Sequence, residues 1–193
     1  MKKLDRQFFQ SILIVLICII IFIIIIAGYL KIDEYRKLSY KVNTEFSSND
    51  IIELNNNFPL SDEIGKSYSG TGMEKGLVGY SEFVVRNPNE KKVKFEIYIT
   101  KMETEEDQIK SNYIKLYLTD DKNHPVDGFN TNVIKSYKDL YALKDKPGSK
   151  LVYRDTLVAG GSKKFILRSW VSDTYAISKQ LKKFKYDIDV RIK

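Results

Sequence analysis

The chain offers few side chains with the chemistry of an active site. Its one histidine, His124, stands before Pro125 beside an Asp/Asn-rich turn. A Ser–His–Asp triad would have to recruit that imidazole, yet no serine lies in a strand–turn–helix nucleophile setting. No His/Cys cluster and no His-x-x-Glu or Glu-x-x-His pair is present to hold zinc. Hard oxygen ligands are more abundant. Asp120, Asp121, Asn123 and Asp127 fall within eight residues, and Glu103, Glu105, Glu106 and Asp107 form an acidic run. Such groups suit calcium, but the Asp-x-Asp-x-Asp-Gly spacing is missing, and a turn of Asp and Asn needs no ion. Gly70-Thr71-Gly72 and Gly76 punctuate a loop and make no phosphate cradle. Asp62, Glu63 and Asp173 become chemistry only if the fold brings two of them together. The expectation is a protein without catalysis, cofactor or metal.

The aromatics on the wet side of alternating segments say more. Tyr98, Tyr113 and Tyr117 alternate with apolar neighbours, and Trp170 falls opposite Phe165, Leu167 and Val171. An outward Tyr/Trp stripe on a sheet is a candidate interaction surface for a protein or a glycan. The other reading is cross-strand pairing or shelter beneath a loop, with 172–182 as the cover for Trp170. The net charge is +7. Lys91-Lys92, Lys163-Lys164 and Lys182-Lys183 are the basic doublets. They either rest on anionic headgroups or wall polymers, or solvate strand ends against edge pairing.

What must position these groups is set first by an oily run. From Ile12 to Ala27 no side chain except Cys18 is polar, and most are isoleucine. With its shoulders the stretch runs from Phe8 to Leu30. As a helix it reaches roughly 34 Å at 1.5 Å per residue, just over a bilayer's hydrocarbon core. If each central residue contributes ~0.3–0.6 kcal/mol, insertion is favoured by roughly 5–10 kcal/mol. Residues 8–30 are therefore expected to be a transmembrane signal-anchor contacting lipid, with 1–7 as a cytoplasmic stub. A cleaved leader is the alternative; the run exceeds the usual apolar length, and bulky Ile25 sits where a small residue is wanted. Lys2, Lys3 and Arg6 precede the span, while Lys31, Arg36, Lys37 and Lys41 follow it, so charge alone does not orient it. The short stub does: the N-terminus is expected in the cytoplasm and the remainder outside. The lone Cys18 leaves the later region without a thiol, and no Asn-x-Ser/Thr sequon occurs.

Residues 31–42 read as a helical stalk and 43–193 as one extracytoplasmic domain. There the period changes to two. Val93, Phe95, Ile97 and Ile99 alternate with polar partners, as do Ile114, Leu116 and Leu118, and Phe184, Tyr186, Ile188, Val190 and Ile192. That pattern marks half-buried antiparallel strands. Softer strands are expected at 39–46, 51–54, 80–86, 151–158 and 164–171, between turns at Asn87–Glu90, Asp120–Asn123 and Gly160-Gly161. Eight strands predict an all-β fold, an immunoglobulin-like antiparallel β-sandwich. The excess length falls in loops 55–79, 129–150 and 172–182. Within the first, Ser61 reads as an N-cap with Asp62 and Glu63 in the first turn, a plug over one end of the sandwich.

Three segments carry a resemblance. Pro59-Leu60-Ser61-Asp62-Glu63-Ile64-Gly65, Phe83-Val84-Val85-Arg86-Asn87-Pro88 and Leu167-Arg168-Ser169-Trp170-Val171-Ser172-Asp173 resemble a group of uncharacterised membrane-anchored proteins of low-GC Gram-positive bacteria. The resemblance covers most of the region after the helix and implies one helix carrying one β-sandwich, with no known activity attached. A looser similarity runs to camelysin-like biofilm-fibre subunits, in which a hydrophobic leader precedes a jelly-roll-like sandwich. The permanent anchor here departs from them. The functional expectation is a displayed sandwich that binds or scaffolds another envelope protein or a wall polymer, and not nucleic acid. The alternative is a subunit of a surface filament or secretion apparatus assembled by strand addition.

Overall fold

Alternation in the sequence becomes pleat in the structure. The computed structural model describes residues 2–39, 41–47, 50–71, 76–104, 108–131, 133–144, 146–176 and 179–193, with backbone alone for 2–7, 9–11 and 32–39. In chain order the elements are α1 (Lys2–Ser39), β1 (Asn43–Phe46), β2 (Ile51–Asn55) and α2 (Asp62–Ser67). There follow β3 (Gly79–Arg86), β4 (Val93–Met102), β5 (Ile114–Asp120) and β6 (Tyr141–Ala142). The chain closes with β7 (Ser149–Leu157), β8 (Ser162–Val171) and β9 (Lys183–Ile192). Gly72 and the acidic positions Glu105, Glu106 and Asp107 lie outside the described residues.

Helix α1 contains a 20-residue apolar stretch, Ile12–Lys31, with its side chains exposed. At 1.5 Å per residue it spans about 30 Å, the thickness of a bilayer core. Helix is the form such a segment needs, because lipid offers no partners for exposed backbone N–H and C=O groups. Residues 1–40 and 41–193 form separate units. The helix runs to Ser39, so the strand expected from 39 is confined to Asn43–Phe46.

The second unit is the expected antiparallel β-sandwich. One sheet has the order β1-β3-β8-β5, the other β2-β9-β4-β7-β6. Among the described residues the pairings between these strands are antiparallel. The chain changes sheet at nearly every connection; among the described residues, only β6 and β7 are consecutive strands paired in one sheet. This order differs from the immunoglobulin one, in which several consecutive strands pair in one sheet. The turn Asn87–Glu90 is accordingly a crossover from β3 to β4, not a hairpin. Asn87 holds it: its buried amide donates to the carbonyls of Lys91, Leu157 and Val158, while its oxygen accepts from Asn89. The crossover is thereby tied to the end of β7.

Between the sheets, Phe83, Val85, Leu116, Leu118, Phe165 and Leu167 face Leu54, Phe95, Ile97, Ile99, Phe184 and Tyr186, all fully buried. Burying each such side chain contributes roughly 1.5–3 kcal/mol. The Tyr186 hydroxyl, the one polar tip in this group, donates to Ser169 Oγ at 2.7 Å across the gap. Helix α2 starts as expected, with Ser61 Oγ accepting from Ile64 N at 3.4 Å. Its position is not the end of the sandwich. It lies on the outer face of the four-stranded sheet, where Gly65 sits directly over the Trp170 indole.

Candidate functional site

The four aromatics expected to form one surface are not brought together. Trp170 is fully buried, with Gly65 of α2 directly over its indole. Tyr113 precedes β5 and packs edge-on against Tyr175, ring centres 5.1 Å apart. Tyr117 is half-buried beside Arg168 in the register of β5 on β8. Tyr98 belongs to the other sheet and is 7% exposed, its hydroxyl bonded to Glu96. Alternation correctly puts these side chains off the core, but both outer faces are partly covered, so outward does not mean exposed.

The outer face of the four-stranded sheet is built around Arg168, which is 3% exposed. Its Nε donates to the Tyr68 carbonyl at 2.5 Å, Nη1 to Thr119 Oγ1 at 3.0 Å and Nη2 to Asn123 Oδ1 at 2.6 Å. The guanidinium also lies 5.7 Å from the Tyr80 ring centre. Burial draws its pKa below the ordinary value. One fork thus ties the chain after α2 and the turn after β5 to the sheet, a structural role that occupies the face.

The Asp/Asn turn behaves as a turn. Asp120 Oδ1 accepts from Lys122 N and His124 N at 2.9 and 2.8 Å, and Asn123 takes φ = 63°. His124 Nδ1 is 3.5 Å from Asp120 Oδ2, with most of its side chain in solvent. A cleft of about 430 Å³ opens here, lined by Asp120, Asp127, Tyr153, Asp155 and Lys163 among others. Three of its groups are paired: Tyr153 donates to Asp155 at 3.1 Å, and Lys163 pairs with the same carboxylate. Among the described residues, no three His, Cys, Asp or Glu side chains could hold a metal ion. Glu63 and Asp173 are exposed. The basic doublets are partly engaged too, since Lys164 pairs with Glu82 and Lys183 with Glu53.

The outer face of the five-stranded sheet is different. Register puts Glu96 of β4 between Arg154 of β7 and Arg191 of β9, and places Tyr98 beside Leu151, itself opposite Tyr141 of β6. A bulge between Ile97 and Tyr98 separates the two rows. Glu96 is 7% exposed. Its Oε2 accepts from Tyr98, and its Oε1 lies 3.4 Å from Arg154 Nη2 and 3.3 Å from Lys193 Nζ. Burial pushes the Glu96 carboxyl up, but the Tyr98 hydroxyl, Lys193 and Arg154 outweigh it and hold it below the usual carboxylate value. Burial, then the Glu96 carboxylate, push the Tyr98 phenol up to about 12. Arg191 lies over the Tyr98 ring, 5.5 Å from its centre, and pairs with Asp189.

Around this buried carboxylate two clefts open. One, of about 470 Å³, is lined by Lys94, Glu96, Arg154, Thr156 and Lys193 among others. The second, of about 520 Å³, shares Glu96, Arg154 and Lys193 and adds Tyr98, Tyr141, Leu143 and Leu151. Arg154 and Lys193 form the ridge between them, with side chains 59% and 54% exposed. They are held from below yet keep donors for a ligand above. Of this group the sequence reading picked out Tyr98 alone. The Glu96-x-Tyr98 pair on one strand face was the available signal; Arg154, Lys193 and Tyr141 are distant in sequence and joined only by register.

No protein-family model matches the chain, and no curated protein matches it. Among solved structures, the K1 cleaved adhesin domain of Lys-gingipain from Porphyromonas gingivalis W83 is similar over 79% of this chain and 98% of its own. The two share 10% identity, with a TM-score of 0.27. The fold assignment rests on the strand pairing described above.

Proposed function

We propose that the chain is a single-pass membrane protein that holds its β-sandwich outside the cell and binds or scaffolds another envelope component without catalysis. The observation that carries this reading is the division of the chain. A bare apolar helix of membrane-spanning length is followed by a separate unit with its own core. The N-terminus lies in the cytoplasm, because a short stub is easier to retain than to export. The outer face around Glu96 is the binding surface. The resemblance to membrane-anchored sandwich proteins agrees with this arrangement.

Protease treatment of intact cells tests the placement. Residues 41–193 should be degraded while a cytoplasmic control protein survives; protection of the domain until the cells are lysed would refute it. A second reading, assembly by strand addition, draws on two sheet edges. Among the described residues, β2 pairs only with β9, and β6 covers β7 only at Lys150 and Leu151. Open edges of this kind accept a further strand. Sedimentation of the full-length protein in detergent separates the two readings, since concentration-dependent growth beyond one chain per micelle belongs to assembly.

A further inference from the structure

Two rows of different chemistry lie side by side on the five-stranded sheet. One is Tyr141–Leu151–Tyr98, the other Arg154–Glu96–Arg191, with Lys94 and Lys193 beyond it. Side chains two apart on a strand are separated by roughly 6.6–6.8 Å, and neighbouring strands by about 4.7–4.9 Å. A ligand lying across the face therefore meets an apolar wall and a cationic ridge within one or two repeat lengths. Tyr141 is 64% exposed, the one strongly exposed large apolar side chain lining either cleft.

We infer that this face binds an acidic glycan, a sugar polymer carrying carboxylate or phosphate groups, with sugar rings against Tyr141 and anions on Arg154 and Lys193. This deepens the display reading and rests on it. Charge complementarity selects the anion: both clefts share the two cations, and the carboxylate between them is already bonded by Tyr98. Asp189 is taken by Arg191, and Asp155, at the rim, by Lys163. Buried Glu96 acts as a positioning residue that holds both cations at one height. Arginine offers five donors in a fixed fork, so one bond to Glu96 leaves others for a ligand. The exposed tyrosine supplies the flat apolar surface that a sugar ring covers. A folded protein partner fits less well. Such interfaces bury about 800 Å² per side around an apolar core, and this face has one exposed ring among charges.

The test uses full-length protein in a sugar-free detergent, titrated with polygalacturonate, phosphomannan, neutral dextran and polyglutamate. Binding of polygalacturonate or phosphomannan at least tenfold tighter than of dextran and polyglutamate is expected, and the tighter of the two identifies the anion. The double variant R154Q/K193Q should weaken glycan binding at least tenfold. Tyr141→Ala should weaken it about fivefold while leaving residual polyglutamate binding unchanged. Trp170 emission, from the opposite sheet, verifies folding; if the double variant loses it, Lys193→Gln alone replaces it, with about a threefold loss expected. Polyglutamate binding as tightly as the glycans would mean a protein-like or purely electrostatic partner and would overturn the inference. So would insensitivity to these substitutions, or no acidic glycan binding at millimolar sugar. Protease accessibility is read independently: an accessible domain that ignores glycans sinks the ligand class alone, while a protected domain sinks the display reading.

Discussion

Replacing Gly65 by alanine tests the docking of α2 at the place where two effects oppose. In an exposed helix the change would stabilise by about 1 kcal/mol, the propensity difference between the two residues. Here the added Cβ would fall 2.6 Å from Trp170 Cε3, with Cδ2 and Cε2 closer still. Trp170 is fully buried and has no room to retreat. Overpacking costs typically 1–3 kcal/mol, and contacts this short with a buried ring belong in the upper part of that range, about 2–3 kcal/mol. After the propensity gain is subtracted, a net loss of about 1–2 kcal/mol is expected. For a unit of this size each kcal/mol moves the melting midpoint by about 2–4 °C, which predicts a fall of roughly 2–8 °C. The assay is built in, because Trp170 is the only tryptophan. Its emission reports the contact being perturbed, and a red shift in the native baseline should accompany the lower midpoint. In a Trp170→Leu background, followed by circular dichroism, Gly65→Ala should become neutral or stabilising, a coupling of about 1–3 kcal/mol. An unchanged or raised midpoint in the parent would show that α2 does not rest on the indole, and the account of that face would fail.

Three further outcomes follow from the same geometry. Asn87→Ala strips donors from the carbonyls of Lys91, Leu157 and Val158 and should cost about 2–4 kcal/mol by urea denaturation, given 1–3 kcal/mol for each buried group left unpaired; a loss within 0.5 kcal/mol, as at ordinary surface sites, would contradict its role in fixing the crossover. Because Glu96 is held below its ordinary pKa when folded, its contribution is present above the unfolded value of about 4.3 and is lost as pH falls through the folded one. The gap in urea midpoint between parent and Glu96→Gln should therefore narrow on acidification from pH 6 to pH 3, and a gap that widens would reverse the sign assigned here. The double substitution Ile20→Lys with Ile23→Lys adds about 5–7 kcal/mol to insertion, at 2.5–3.5 kcal/mol for each central lysine, and should release the protein into the supernatant of an alkaline membrane wash; retention in the pellet would mean that this helix is not the anchor.

Composition and period were enough for the broad plan. An unbroken apolar run has one stable form in lipid, and strict alternation has one stable form in water, so the apolar centre of α1 and the strands at 93–102, 114–120 and 183–192 were legible, the strands to within one or two residues at each end. The N-cap at Ser61 was legible for the same reason, since capping is a bond between near neighbours. Two-residue β6, hidden in the expected loop 129–150, was not; it exists only because β7 offers it an edge.

What the sequence determined alone is which side chains point away from the core. Which of those meet water was decided by tertiary structure. Trp170 and Arg168 are outward on β8 yet buried, because α2 and the turn at Asn123 return over them from about 100 and 45 residues away. Glu96, Arg154, Lys193 and Tyr141 become one surface only through the register of β4 with β7 and β9 and of β7 with β6. The physical reason is range: periodicity and capping are written in neighbouring residues, whereas covering a face and aligning strands depend on contacts whose partners no local pattern specifies.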